Sequence, residues 1–280
     1  MPRYKPGPGM LVVAAFIGPG TVTACSVAGV DFGMTLLWAL VFAGIATITL
    51  QYAAARVAVL RGQGLARAMV DSAGSAPAKL ALGLLIVVAL GLGNAAYESG
   101  NIGGAALGLG AIGWNAPAPW PALCIGAVAA GLLAFGQVKW LMRLLVALVM
   151  LMSLAFLIAC IAVRPDPAAL LAGLVPRIPE GGLFTAIALI GTTIVPYNLF
   201  LHAAAARERW SADEDPAEMR LETIVSIGIG ALVSIAILIT AAASGVGGGI
   251  GNAADIARQV QPVYGPLARY AIGAGLFGAG

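Results

Sequence analysis

Long apolar runs with almost no charge inside them constrain this chain more than any motif does. A run of about 20 apolar residues can cross the hydrocarbon core of a bilayer as a helix. Seven such spans are predicted, at Met10–Val30, Met34–Leu60, Leu80–Ile112, Ala122–Phe135, Leu141–Val163, Leu183–Ala206 and Thr223–Ser244. An eighth begins near Leu267 and is still apolar at Gly280. The third is long enough for a tilted helix, or for a helix plus an interfacial piece. The chain is 60% hydrophobic and only 10% charged, whereas soluble domains carry about 25% charge. So little charge cannot cover a water-facing surface. In lipid the backbone must satisfy its own hydrogen bonds, which helices do. The expected class is an all-α polytopic membrane protein, one transmembrane domain over residues 1–280.

The loops orient this map. With the N-terminus in the cytoplasm, inside segments hold Arg3, Lys5, Arg56, Arg61, Arg67, Lys79, Lys139, Arg143, Arg207, Arg209 and Arg220. Outside segments hold Arg164, Arg177, Arg258 and Arg269, so the 15 basic residues divide eleven to four. Basic residues concentrate on the cytoplasmic side of membrane proteins, which favours this orientation. The expected location is the bacterial inner membrane. The basic start followed by a long apolar stretch reads as a retained first span, because no small-residue cleavage context follows it. The apolar run still open at Gly280 reads as a truncated chain.

Several classes fall away. No basic block suits nucleic acid. Cys25, Cys124 and Cys160 sit singly in apolar runs without metal-ligand spacing and read as buried hydrophobes. The sequence holds no nucleophile–base pair, no Walker-type loop and no metalloprotease motif, so no enzyme and no cofactor are expected. The expected partners are the lipid bilayer, a small cation or solute, and protons.

Two predicted spans are interrupted. The first carries Gly18-Pro19-Gly20-Thr21, and the sixth carries Thr192-Thr193-Ile194-Val195-Pro196-Tyr197-Asn198. Proline removes an amide donor and clashes with the preceding turn, while glycine tolerates non-helical angles. Paired interrupted helices at corresponding positions are the sequence signature of a transporter site. Freed carbonyls there hold cations, and half-helix N-termini hold anionic groups. Each break taken alone is also an ordinary proline kink. Glu98 is the one acid well inside a span, where a carboxylate is costly and needs a partner or water. It reads as a proton acceptor or cation ligand, or as a neutral structural glutamic acid. His202, the only histidine, lies four residues after Asn198 and shares its helix face. It is a proton-relay candidate or a structural histidine.

These breaks carry a resemblance. Gly18-Pro19-Gly20-Thr21, then Ala28-Gly29 and Leu36-Leu37-Trp38, resembles the first span of the natural-resistance-associated macrophage protein (Nramp) family, which has Asp-Pro-Gly-Asn there. Val195-Pro196-Tyr197-Asn198-Leu199-Phe200-Leu201-His202 resembles that family's sixth-span Met-Pro-His-Asn-Leu-Tyr-Leu-His. Arg164-Pro165-Asp166 and Tyr264-Gly265-Pro266-Leu267-Ala268 are similar too. The resemblance implies proton-coupled import of divalent transition metals. It also implies a leucine-transporter-like fold of two inverted five-helix repeats with discontinuous helices 1 and 6. The first repeat would cover about residues 8–165, and an incomplete second repeat about 181–280.

The departures are chemical. The family's ligands are the first-span aspartate and asparagine, the sixth-span methionine, and a carbonyl three residues before it. Matching positions here hold Gly18, Thr21, Val195 and Thr192. Thr21 and Thr192 are thus metal contacts by position only. Of the two acids on the family's third-span proton path, Glu98 matches the first and Asn101 replaces the second. Tyr197 replaces a histidine, and His202 is retained. The expected substrate-binding set is Gly18, Pro19, Gly20, Thr21, Thr192, Val195, Pro196, Tyr197 and Asn198. The expected proton relay is Glu98, Asn101 and His202. Without carboxylate or sulfur, manganese transport is expected to be weak or absent. Two other functions fit: a same-fold carrier of an organic solute such as an amino acid, and a non-transporting membrane scaffold or sensor.

Overall fold

A computed structural model describes residues 17–114, 116–117, 119–135, 139–213, 216–245, 250 and 253–280. Among them the regular structure is helical throughout: α1 (Pro19–Phe32), α2 (Leu37–Arg61), α3 (Leu65–Ser72), α4 (Ala76–Ala111), α5 (Trp120–Phe135), α6 (Lys139–Ala162), α7 (Pro167–Gly173), α8 (Leu183–Thr193), α9 (Pro196–Arg209), α10 (Pro216–Ala243), α11 (Ala253–Tyr264) and α12 (Ala268–Ala279). A 3₁₀ turn, Gly265–Leu267, joins the last two.

Five stretches are long and apolar enough to cross a membrane: Leu37–Arg61, Ala76–Ala111, Arg143–Ala162, Leu183–Arg209 and Pro216–Ala243. Trp120–Leu132 is a shorter apolar helix. The other two expected spans differ. Residues 10–16 of the first lie outside the described residues, and α1 is its remaining 14-residue part. The eighth is α12, whose 12 residues rise only about 18 Å, short of the ~30 Å core. The third span is one unbroken helix of 36 residues.

Prolines set several boundaries. The fourth span starts at Trp120, not Ala122, because Pro121 occupies a first-turn position whose amide needs no partner. The seventh starts at Pro216, seven residues before Thr223, since Pro216 opens a helix and Glu218 in its first turn suits the positive helix end. Helices α3 and α11 were not expected. Each is short and amphipathic, so neither forms an apolar run.

Helix α10 lies at the centre, packed on α1, α2 and α6. Small residues permit the close approaches. A Cβ on Gly108 would stand 2.5 Å from the Gly273 carbonyl oxygen, and one on Gly273 would stand 2.8 Å from that of Gly108. Thus α4 and α12 touch backbone to backbone, as small residues allow in membrane bundles. The opposite face of α4 carries exposed Leu84, Val88 and Leu92, which suits lipid. Helix α11 returns to the core: Ser26 Oγ of α1 donates to Gln259 Oε1 at 3.1 Å, both side chains buried.

Helix α7 depends on its cap. Asp166 accepts from the amides of Ala168 at 3.1 Å and Ala169 at 3.3 Å. Replacing Asp166 with alanine is expected to cost about 1 kcal/mol of local helix stability. Hydrogen exchange should then be faster at the Ala168–Leu171 amides, and unchanged exchange would mean the carboxylate does not cap.

Candidate functional site at two helix breaks

The sixth-span break is two residues long. Helix α8 ends at Thr193, Ile194 takes φ −90° and ψ 79°, Val195 takes φ −98° and ψ 123°, and Pro196 restarts the helix. The cause is local. An uninterrupted helix would bond the Thr192 carbonyl to the amide of residue 196, and proline has none. Neighbouring hydroxyls tidy what the break frees. Thr47 Oγ1 of α2 donates to the Thr193 carbonyl at 3.4 Å. Thr192 and Thr193 donate their hydroxyls to the Leu189 carbonyl at 3.1 and 3.2 Å.

At the first break Gly18 is extended, φ −99° and ψ 175°, and Pro19 is the first helical residue. What precedes residue 17 lies outside the described residues. Helix α4 presses on this point. A Cβ on Gly104 would stand 1.9 Å from the Pro19 Cβ, so only glycine fits there. A Cβ on Gly18 would meet Asn101 Oδ1 at 3.3 Å and the Tyr97 hydroxyl at 3.5 Å.

The two breaks meet through α4. The Tyr97 ring sits edge-on to the Tyr197 ring, with centroids 5.5 Å apart and planes at 68°. Tyr97 therefore contacts Tyr197 at one break, and its hydroxyl lies where a side chain at position 18 would reach at the other. Asn101 Nδ2 donates to Glu98 Oε2 at 3.4 Å, and the Glu98 carboxylate is near enough to act electrostatically on both phenols. Helix α1 also packs directly on α8.

The expected site residues thus fall into groups. Gly18, Glu98, Asn101 and Tyr197 come together around Tyr97. Thr192 flanks the break on α8, Val195 is buried within it, and Pro196 and Gly20 are exposed. Thr21 is buried, 1% exposed. His202 is elsewhere: it is fully buried against α2, its Nδ1 3.2 Å from the Gln51 carbonyl oxygen. Asn198, one turn before it, is fully buried too. Sequence reasoning missed Tyr97, Thr47 and Gln51. The last two carried a signal, polar side chains four apart inside an apolar span.

The donors at the breaks are oxygens: the Thr21 hydroxyl, the Thr192 carbonyl, the Asn101 amide, two phenols and one carboxylate. Among the described residues no three His, Cys, Asp or Glu side chains gather as a metal cage. Hydroxyl, carbonyl and amide oxygens suit hard cations better than soft ones.

Comparison with known proteins bears on the family and the fold. The chain is 30% identical over 240 residues to a divalent metal cation transporter, MntH, of Mycobacterium tuberculosis, covering 83% of this chain and 54% of that protein. It is 30% identical over 292 residues to the protein of the same name from Yersinia pestis, covering 98% and 68%. The Deinococcus radiodurans protein of that name is 26% identical, over 98% and 64%. The chain therefore spans about half to two thirds of the length of these relatives. Structures of a manganese transporter from Eremococcus coleocola share the fold. One superposes with a TM-score of 0.73 at 22% identity, covering 98% of this chain and 61% of that one. The profile of natural resistance-associated macrophage protein-like sequences matches residues 9–280, nearly the whole chain, so the protein belongs to that family.

Proposed function

We propose that the chain forms the substrate-binding part of a secondary transporter of the Nramp type, which moves a metal cation between broken helices 1 and 6. The observation that carries this reading is Tyr97, whose ring packs on Tyr197 at one break and whose hydroxyl borders the Gly18 position at the other. Relatives that transport divalent cations support the substrate class. Within the site, Thr21 and the Thr192 carbonyl are the cation contacts, and Glu98, steadied by Asn101, is the proton acceptor. We take residues of about 8–165 as the first inverted repeat and about 181–280 as part of the second. The N-terminus is cytoplasmic and the membrane is the bacterial inner membrane, on the eleven-to-four division of basic residues. The protein is a carrier and not an enzyme.

The test is cation flux into liposomes holding the full-length gene product. Glu98→Gln is expected to cut flux by about a hundredfold, the lower end for losing a general acid–base group, and to flatten its pH dependence. Flux and pH dependence both unchanged would end the proton role.

One feature favours a second reading. Both α1 and α9 begin with proline at the breaks, so two positive helix ends face a region with one acid. An organic solute with its own carboxylate would suit them. Calorimetric titration with divalent metals and with amino acids separates the two readings.

A further inference from the structure

Five buried side-chain atoms have no hydrogen-bonding partner among the described residues: Gln51 Oε1, Asn198 Oδ1, Asn198 Nδ2, His202 Nε2 and Gln259 Nε2. Four of them belong to three residues on packed helices, Gln51 on α2 and Asn198 and His202 on α9. Gln51 is 1% exposed and the other two are 0% exposed. Each unsatisfied buried polar group costs about 1–3 kcal/mol. Buried polar groups are nearly always satisfied, so these four atoms on two packed helices need partners.

The bond that is present defines what those partners must be. His202 Nδ1 lies 3.2 Å from the Gln51 carbonyl oxygen. A carbonyl only accepts, so Nδ1 carries the proton, and Nε2 of the neutral ring presents a lone pair. Three orphan atoms are then acceptors: His202 Nε2, Asn198 Oδ1 and Gln51 Oε1. One group, Asn198 Nδ2, is a donor. Acceptors cannot satisfy one another. They need small molecules that both donate and accept, which is what water does; one water donates two hydrogens, so three acceptors and the Asn198 amide call for at least two waters.

The surroundings are consistent with confinement. Along the two helices beyond Gln51 and His202, Ala54, Ala55, Ala58, Ala203 and Ala206 are all buried, at most 7% exposed, and offer no side-chain donor. On the other side, Thr47 Oγ1 binds the Thr193 carbonyl at the break. We propose that Gln51, Asn198 and His202 enclose an ordered-water site, bounded by that alanine layer, which joins the second span to the half-helix after the break. Water adds a second link between the two helices beside the bond from His202 Nδ1 to the Gln51 carbonyl, and it keeps His202 in a polar site separate from Glu98. This does not depend on what the protein carries.

The His202 ring signal permits a direct test. The full-length gene product, labelled with nitrogen-15 histidine, is placed in bilayers for solid-state NMR, and His202→Gln identifies the signal. The expected spectrum has a protonated Nδ1, an unprotonated but hydrogen-bonded Nε2, and magnetisation transfer from water protons to the ring. Asn198→Leu should abolish that transfer while Nδ1 stays protonated. A proton on Nε2 in the neutral ring, a ring with no transfer from water, or an Nε2 shift that follows sodium or potassium concentration would each overturn the proposal. The unsubstituted protein alone decides it if Asn198→Leu does not fold.

Discussion

Replacing Gly29 with leucine is expected to prevent the protein from assembling into a stable, monodisperse membrane domain. Gly29 lies where α1 crosses α10. A Cβ there would stand 2.4 Å from the Leu238 carbonyl oxygen, 2.5 Å from the Ala241 Cβ and 2.9 Å from the Ala242 amide nitrogen. Two of these are backbone atoms of the central helix and cannot rotate aside. Added atoms must push the two helices apart, and α10 carries the largest buried share among the long apolar helices. Overpacking by even a methyl group costs about 1–3 kcal/mol, against a total stability of only about 5–15 kcal/mol. Gly29→Ala should therefore lower the melting temperature in detergent, and Gly29→Leu should leave little folded protein. Gly91 on α4, where an added Cβ meets nothing within 4 Å, is the control, and Gly91→Ala should melt like the parent. Gly29→Leu protein with an unchanged melting temperature would show that α1 and α10 are not in contact.

The second large effect concerns binding. Gly18→Asp is expected to raise manganese affinity at least about tenfold, about 1.4 kcal/mol. On the proposed reading, a divalent ion at the breaks would meet neutral oxygens and a single carboxylate at Glu98, which offset its dehydration poorly. Gly18 is the position where a carboxylate is most easily added. Its backbone is extended, φ −99°, so glycine is not needed for its conformation. The nearest atoms to a new Cβ are side-chain ends, Asn101 Oδ1 at 3.3 Å and the Tyr97 hydroxyl at 3.5 Å. They can shift by a few tenths of an ångström, and the phenol can donate to the new carboxylate. Isothermal titration of parent and variant with manganese and with magnesium measures the effect. Equal manganese affinities would mean that Gly18 does not border the cation site.

Both variants probe contacts that the chain's order does not reveal, and this marks what could be read in advance. The all-helical class and the five long helices followed from hydropathy, a property of each run by itself. The two breaks followed from Pro19 and Pro196, because a missing amide acts on the helix that contains it wherever that helix packs. Residues grouped by resemblance fared differently. Glu98, Asn101 and His202 were expected to form one relay. The fold brings the first two to Gly18 and Tyr197, and holds His202 against Gln51, 151 positions away in sequence. Tyr97 drew no attention, since an aromatic beside an acid in an apolar helix is ordinary until its neighbours are known.

By itself, then, the sequence determined that the chain lives in a bilayer as helices, that one is interrupted at Pro196 and that another starts at Pro19. Those outcomes depend on solvation of side chains and on backbone donors, which act over a few residues. The tertiary structure decided which polar groups meet. That depends on how closely helices approach, which glycines such as Gly29, Gly104 and Gly108 control by leaving backbone against backbone or proline. It also depends on how each helix is turned about its axis once packed. Tyr97 could join the two breaks, and His202 could be set apart from Glu98, only after those approaches were made.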